Sequence, residues 1–138
     1  MNSPVTVDAS VFVSAFTPSE PAHQESRAFM LEVREQALPV IVPILVLPEI
    51  SAALSRGQGK PDLGKSFVQE LRHFPNTTFI DVDEGIANLA VDVAANHRLR
   101  GSDAVYAAVA LRFGTELITL DKEQLARLRK VLAVRKPK

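Results

Sequence analysis

The chain has 138 residues, 46% of them hydrophobic, which is enough for one domain with a buried core. Its sixteen basic and sixteen acidic residues cancel, so no overall field attracts nucleic acid or a membrane, and any site for a polyanion must be local. The sequence has no cysteine, which excludes disulfides, thiolate zinc sites and a cysteine nucleophile.

Short apolar runs alternate along the chain with stretches whose apolar residues recur at helical spacing. The runs predict strands, in chain order, at residues 5–8, 40–43, 77–81, 116–121 and 131–134. The periodic stretches predict helices at residues 9–16, 23–37, 45–54 and 62–74, then behind Asp83, over 99–111 and at 122–129. Strands joined by helices imply right-handed crossovers. We therefore expect an α/β fold with three layers, α/β/α, around a mostly parallel sheet of about five strands.

The N-terminus and the apolar runs give no indication of export or membrane insertion. Residues 1–4 lack the basic start and long apolar core of a signal peptide. The longest apolar run, residues 40–47, is interrupted by Pro43 and is far shorter than the roughly 18–20 residues of a membrane span. We expect a cytoplasmic protein without membrane contact, folded as a single domain over residues 1–138.

The stretch Leu99–Leu111 is apolar on nearly every side. After Asp103 no charged residue follows until Arg112, and alanine and valine fill both faces. This pattern predicts a helix that is buried nearly all round. Asp103 stands near its start, behind a glycine and a serine. The carboxylate therefore either stabilises the start of the helix or takes part in chemistry.

Four carboxylates occupy equivalent places, at the end of a predicted strand or in the first turn of a helix: Asp8, Glu49, Asp103 and Asp121. In parallel sheets these places meet at the edge where ligands bind. Each acid alone can be explained as a helix cap, a dipole partner or a turn residue. Together they would repel, by about 4 kcal/mol per pair at ~4 Å and an effective dielectric of ~20, and a cation would remove that cost. Oxygen ligands without histidine or cysteine favour Mg²⁺ or Mn²⁺ over zinc.

Two other acidic arrangements on parallel sheets do not fit the sequence. A phosphoacceptor receiver domain needs adjacent acids after its first strand, whereas Asp8 stands alone. A haloacid-dehalogenase-like phosphatase needs a second aspartate two residues after the first, where this chain has Ser10. The acids at 81, 83 and 84 also follow a strand, but capping of the next helix explains them.

The motifs that contain the four acids resemble those of the PIN-domain nucleases, especially the VapC-like toxins: Val7–Ser10, Pro48–Ile50, Gly101–Ala110 and Leu117–Asp121. The likeness covers nearly the whole chain, in order and spacing, and implies a PIN-like fold. It assigns the acidic quartet to Asp8, Glu49, Asp103 and Asp121, with Glu123 as an alternative to the last. Ser10 and Thr119 would be hydroxyl neighbours that orient the first and last acids, although ordinary backbone capping explains them as well. Pro48 departs from the family pattern, which more often has a small residue there.

The resemblance implies metal-assisted hydrolysis of an RNA phosphodiester. One or two Mg²⁺ (or Mn²⁺) ions would be held chiefly by Asp8 and Asp103, and would activate water and neutralise charge on the phosphate. Because the net charge is zero, local cations must attract RNA, and sequence proximity selects Arg98, Arg100 and Lys122. A solvated helix end explains these basic residues almost as well.

Three functions remain open at this point. The first is a toxin endoribonuclease, a homodimer that a partner antitoxin keeps silent. The second is an RNA processing or decay nuclease without an antitoxin, and the third is a non-catalytic scaffold or RNA-binding module. Phe67, Leu71 and Phe74 could form an apolar patch for a partner, although core packing is their more common use. Tyr106, inside the apolar helix, is expected to serve packing.

Overall fold

The computed structural model describes residues 3–138, apart from the side chain of Gln58. Its strands are β1 (Val5–Val7), β2 (Val40–Pro43), β3 (Thr77–Ile80), β4 (Glu116–Ile118) and β5 (Val134–Arg135). They form one five-stranded sheet in the order β3-β2-β1-β4-β5, and every pairing is parallel. In register, Val5 of the central strand lies between Val40 and Glu116. The predicted α/β class and strand number are confirmed.

The helices are α1 (Ala9–Phe16), α2 (His23–Glu35), α3 (Val46–Gln58), α4 (Pro61–Arg72), α5 (Glu84–His97), α6 (Gly101–Phe113) and α7 (Lys122–Arg127). The chain moves from β1 to β2 to β3 in one direction along the sheet and then returns to β4. Because crossovers between parallel strands are right-handed, α1–α4 cover one face and α5–α7 cover the other. The layers are therefore α/β/α. In the described part of the chain, no helix is both long enough and apolar enough to span a bilayer.

Helix α6 lies against the middle of the sheet, where it contacts β1, β2 and β4. Its alanines at 104, 107 and 108 are completely buried, because α5 covers the side that the sheet does not. Small side chains allow this close approach on both sides. The prediction of a helix buried nearly all round is confirmed, and the element forms a rigid support at the centre of the molecule.

Several element boundaries differ from those predicted. The last strand is Val134–Arg135 rather than residues 131–134, because Val131 and Leu132 donate their amides to the carbonyl of Leu128 in a turn after α7. The pairing with β4 is made instead from residue 133 onward, where the Ala133 carbonyl accepts from Leu117. Helix α6 starts at residue 101 rather than 99, because α5 ends only at Arg98, whose backbone is in the left-handed region at φ 55°.

Candidate active site

The site lies where the order of strands in the sheet reverses. The chain leaves β1 toward one face and β4 toward the other, so the two neighbouring strand ends open a crevice between them. Asp8 follows β1 directly, and Asp121 lies three residues beyond the end of β4. The topology alone therefore brings these two acids, 113 positions apart in sequence numbering, to the same edge of the sheet.

Asp8 is fixed by hydrogen bonds to one of its two carboxylate oxygens. The residue is 6% exposed and is the N-cap of α1. Its Oδ2 accepts from the Ser10 amide at 3.2 Å, from the Ser10 hydroxyl at 2.6 Å and from the Thr119 hydroxyl at 3.2 Å. The Ser10 oxygen in turn accepts from the amide of Leu120 at 3.1 Å. Within residues 3–138 no group donates to Oδ1 of Asp8, which leaves that oxygen available to a ligand.

Asp103 stands in the first turn of α6 and is also 6% exposed. Its Oδ1 accepts from the side-chain amide of Gln124 and its Oδ2 from Nε of Arg100, both at 3.0 Å. The N-cap position belongs to Arg100, whose side chain does not cap the helix. Asp103 is thus held by two side chains, one from the N-cap residue of its own helix and one from α7, rather than by main-chain amides.

Asp121 is the N-cap of α7. Its Oδ1 accepts from the amides of Glu123 at 2.8 Å and Gln124 at 3.1 Å, and its own amide donates to the Thr119 hydroxyl at 3.0 Å. Its Oδ2 accepts from Nη2 of Arg100 at 3.0 Å. The same guanidinium therefore joins Asp103 and Asp121.

Glu123, the alternative to Asp121, is oriented differently. Its side chain pairs with Arg127 at 3.2 Å, one turn further along α7. Asp121 lines the crevice and Glu123 does not.

Glu49 reaches the site from the start of α3. Its Oε1 accepts from the hydroxyl of Tyr106 at 2.7 Å. Burial raises the pKa of the Glu49 carboxyl, and the negative charges of Asp8 and Asp103 raise it further. The hydrogen bond from Tyr106, and a smaller one from Ser102, oppose this change. The rise comes mainly from burial of the carboxyl, and the two neighbouring acids add a smaller contribution.

These residues surround one open cavity of about 420 Å³. Its charged lining consists of five acids and one base: Asp8, Glu20, Glu49, Asp103, Asp121 and Arg100. Burial also raises the pKa of Asp103, and the charges of Asp121 and Asp8 add to this while Arg100 opposes it. The cavity is thus a place of excess negative charge, which favours binding of a cation.

The donor set fits a hard divalent cation, although the carboxylates are not gathered into a ready cluster. Among residues 3–138, no three acidic, histidine or cysteine side chains are close enough together to hold a metal ion. Arg100 engages Oδ2 of both Asp103 and Asp121 and so occupies one oxygen of each. Carboxylate oxygens are the ligands that Mg²⁺ and Mn²⁺ prefer, and the free Oδ1 of Asp8 offers one. A cation would compete with Arg100 for the other two acids.

The three basic residues selected from the sequence occupy different surroundings. Arg100 lines the cavity. Arg98 and Lys122 are exposed and do not line it, and the carbonyl of Arg98 accepts a hydrogen bond from the side chain of Arg127. Only Arg100 is therefore brought to the acids in this conformation.

Four further residues belong to the site that the sequence did not single out for it: Glu20, Ser102, Tyr106 and Gln124. Gln124 is completely buried, which is unusual for glutamine, and its position three residues after an N-cap aspartate is typical only of a helix start. The prediction that Tyr106 serves packing agrees with its burial, but its hydroxyl also reaches Glu49.

Packing is the main role of Phe67, Leu71 and Phe74. Phe67 and Leu71 are 4% and 3% exposed, and Phe74 is half-buried against the core. They border an apolar groove of about 620 Å³ that also includes Phe16, which is 51% exposed.

The family model for the PIN domain matches residues 5–131. No curated protein matches the chain by sequence. Among solved structures, the sarcin–ricin-loop-cleaving toxin VapC20 of Mycobacterium tuberculosis has a TM-score of 0.75 at 17% identity, over 88% of this chain and 93% of that one. FitAcB of Neisseria gonorrhoeae has a TM-score of 0.74 at 17% identity, over 96% and 97% of the two chains.

A toxin–antitoxin complex of Klebsiella pneumoniae has a TM-score of 0.69 at 15% identity, over 97% of this chain and 98% of that one. At such identities these likenesses concern the fold. The family model, in contrast, covers most of the sequence and every element from β1 to α7. The chain therefore belongs to the PIN domain family.

Proposed function

We propose that the protein is a metal-dependent endoribonuclease that hydrolyses RNA phosphodiesters, and that it is the toxin of a toxin–antitoxin pair. The observation that carries the proposal is the meeting of four acids from distant parts of the chain at one cavity: Asp8, Glu49, Asp103 and Asp121. A protein that only bound RNA would gain nothing from an acidic cavity, because the phosphates of RNA carry the same charge.

Mg²⁺ or Mn²⁺ is the proposed cofactor, held chiefly by Asp8 and Asp103 and completed by Glu49 and Asp121. When bound, such an ion lowers the pKa of an attacking water and neutralises charge that develops on the phosphate. The chain itself supplies the orientation of the carboxylates. Ser10 and Thr119 hold Oδ2 of Asp8, so its Oδ1 is the oxygen proposed to bind the ion.

Arg100 has two roles in this proposal. Without substrate it neutralises Asp103 and Asp121, at 3.0 Å from each. Its side chain is 69% exposed, so it can leave the acids and turn toward a phosphate of RNA with little loss of burial. Arg98 and Lys122 are exposed outside the cavity and are proposed to contact more distant phosphates of the same strand.

The toxin assignment is supported by the family and by the similar structures, which include a sarcin–ricin-loop-cleaving toxin and a toxin–antitoxin complex. We accordingly propose an antitoxin protein as partner, a homodimer as the assembly, the cytoplasm as the location and residues 1–138 as one functional domain. An RNA processing or decay nuclease without an antitoxin is the alternative that keeps the same chemistry. A non-catalytic PIN-like module is the alternative that does not.

Paired substitutions test the enzyme. Asp8→Asn and Asp103→Asn should abolish Mg²⁺-dependent cleavage of RNA while preserving or raising thermal stability without metal, because each removes one of several mutually repelling charges. Asp83→Asn is the matched control, since Asp83 caps α5 and pairs with Arg112 outside the cavity. Cleavage at the wild-type rate by both site variants would refute the assignment of the active site.

Expression in a bacterial host tests the toxin. The wild-type protein alone should arrest growth, the Asp8→Asn variant should not, and co-expression of the product of a neighbouring reading frame should restore growth. Wild-type protein that cleaves RNA in vitro but leaves growth unchanged would favour the processing or decay nuclease instead.

A further inference from the structure

Tyr106 ends in a hydroxyl group that leaves the core and reaches the acidic cavity. It is the largest side chain among those that are completely buried, and it projects from the middle of α6. Its Oη donates to Oε1 of Glu49 at 2.7 Å. Burial raises the pKa of Tyr106 far above its ordinary value, and the charges of Asp8 and Glu49 add to this. The phenol therefore stays protonated and acts as a hydrogen-bond donor.

The Tyr106 hydroxyl is the main group that holds the Glu49 carboxylate, whereas two or more groups hold each of the other three acids. Main-chain amides donate to Asp8 and to Asp121, so the fold itself fixes those two carboxylates. Within residues 3–138 no main-chain amide donates to Glu49. Its side chain also has one more rotatable bond than aspartate, so more conformations are open to it when no partner holds it.

Tyr106 and Asp103 are three residues apart on α6 and so point to the same side of that helix. The helix is buried nearly all round and contacts three strands, which leaves it little freedom to move. One rigid element thus determines the position of Asp103 directly and that of Glu49 through a hydrogen bond. The contact crosses 57 positions of sequence and joins α6 to α3, which belong to opposite layers.

We propose that Tyr106 is a positioning residue for Glu49: its hydroxyl holds one carboxylate oxygen so that the other faces the cavity beside Asp8 and Asp103. The inference rests on the proposed function, because it gives Glu49 a part in cation binding. Tyr106 itself touches neither substrate nor cation and acts only through Glu49.

Tyr106→Phe removes the hydroxyl and keeps the ring that fills the core. The first readout is the dissociation constant (Kd) for Mn²⁺ in the absence of RNA, measured by titration calorimetry on the full chain. The second is the Mg²⁺ concentration that gives half-maximal RNA cleavage. Both constants should rise by about tenfold or more, as is typical when a partner that orients a metal-binding carboxylate is lost. The cleavage rate at saturating Mg²⁺ should fall much less.

A double-mutant cycle with Glu49→Gln identifies the route of the effect. If Tyr106 acts through Glu49, the phenylalanine substitution should change Mn²⁺ affinity in the wild-type background and have almost no effect in the Glu49→Gln background. An equal loss in both backgrounds would overturn the inference, because Tyr106 would then act independently of Glu49.

Thr115→Val is the matched control for the loss of a buried hydroxyl. Thr115 is 5% exposed and shares a hydrogen bond with Thr6 at the opposite edge of the sheet, before β4 begins. This variant should lower the melting temperature and leave Mn²⁺ affinity unchanged.

Tyr106→Phe protein that loses stability but binds Mn²⁺ as the wild type does would show a structural role only and would overturn the inference. Absence of Mn²⁺ binding by the wild type would overturn it too. Failure of the proposed function looks different: the wild type would cleave no RNA, yet Mn²⁺ binding would still respond to Tyr106→Phe.

Discussion

Arg100 donates from Nη2 to Oδ2 of Asp121 at 3.0 Å, across 21 positions of sequence. The same guanidinium donates from Nε to Asp103, so one exposed arginine joins two acids of the cavity. A cation at this place would be attracted by the same oxygen atoms. The arrangement therefore predicts that a metal ion competes with the guanidinium of Arg100 for these oxygen atoms. When the metal ion binds, Arg100 is released for other contacts.

Substitution of Arg100 should separate metal binding from RNA binding. In Arg100→Gln the two acids lose their positive partner, so less Mg²⁺ should be needed for half-maximal cleavage, while KM for RNA should rise because a phosphate contact is lost. Mg²⁺ titrations at fixed RNA and RNA titrations at saturating Mg²⁺ measure the two effects. Arg112→Gln, which breaks an exposed pair with Asp83, is the control. A higher Mg²⁺ requirement in Arg100→Gln would contradict the competition.

Gln124 should matter for activity more than for stability. Its side-chain amide donates to Asp103, while its carbonyl oxygen is buried without a partner among the described residues. Gln124→Met removes both the useful donor and the unsatisfied acceptor, so the free energy of unfolding should change by only about 1 kcal/mol. Cleavage should nevertheless fall about 10–100-fold, because Asp103 loses a group that orients it. Denaturant unfolding and single-turnover cleavage measure the two quantities.

Gln124→Glu provides the opposite perturbation. A second carboxylate would face Asp103, so this variant should be clearly less stable than Gln124→Met at neutral pH, and added Mn²⁺ should recover stability by neutralising the pair. Equal melting temperatures for the two variants in the absence of metal would show that residue 124 does not face Asp103 in solution.

The sequence predicted those parts of the site that depend on local position along the chain. Asp8 and Asp121 follow strands, and parallel strand ends meet at one edge whatever the details of packing. The burial of α6 likewise follows from the lack of any polar face. These features need only the order of elements and the period of apolar residues, both of which can be read directly.

The remaining contacts depend on tertiary geometry that periodicity does not contain. A helical pattern shows that Tyr106 is buried, but not that its terminal oxygen meets Glu49 across the edge of the sheet. The burial of Gln124 depends on how the short α7 docks beside Asp103. The apolar pattern predicts the last strand three residues too early, because residues 131 and 132 form a turn with Leu128 instead of pairing with β4.

The start of α5 should show a pH-dependent stability that comes from Asp83. Its Oδ1 accepts from the Ile86 amide at 2.8 Å, and this hydrogen bond, helped by Arg112, lowers the pKa of the carboxyl. A carboxyl whose pKa is lower in the folded state stabilises that state above its unfolded pKa, and the contribution is lost as pH falls through the folded value. Asp83→Ala should therefore lower the melting temperature at pH 7, and the difference from wild type should shrink under acidic conditions.

Asp83→Asn separates the cap from the charge. Asparagine also accepts from the amides of a helix start, so this variant should keep most of the stability at pH 7 and show little of the acid dependence. Thermal melts of the three proteins between pH 7 and pH 2.5 measure this. A constant difference between Asp83→Ala and wild type over the whole range would rule out the titration of Asp83 as the cause.

The crossing of α3 and α4 should be sensitive to a single methyl group. A Cβ placed on Gly64 would lie 2.6 Å from the carbonyl oxygen and 3.1 Å from Cα of Ser51, both of them backbone atoms of α3. The helices would have to separate, so Gly64→Ala should destabilise the protein by about 1–3 kcal/mol.

Gly57, also in a helix, has no atom within 4 Å of the corresponding position, and Gly57→Ala should stabilise the protein by about 0.5–1 kcal/mol. Urea unfolding of the two variants measures this contrast. A stabilising Gly64→Ala would mean that the two helices lie further apart in solution. RNA cleavage at saturating Mg²⁺ should stay unchanged in both variants, because neither glycine borders the acidic cavity.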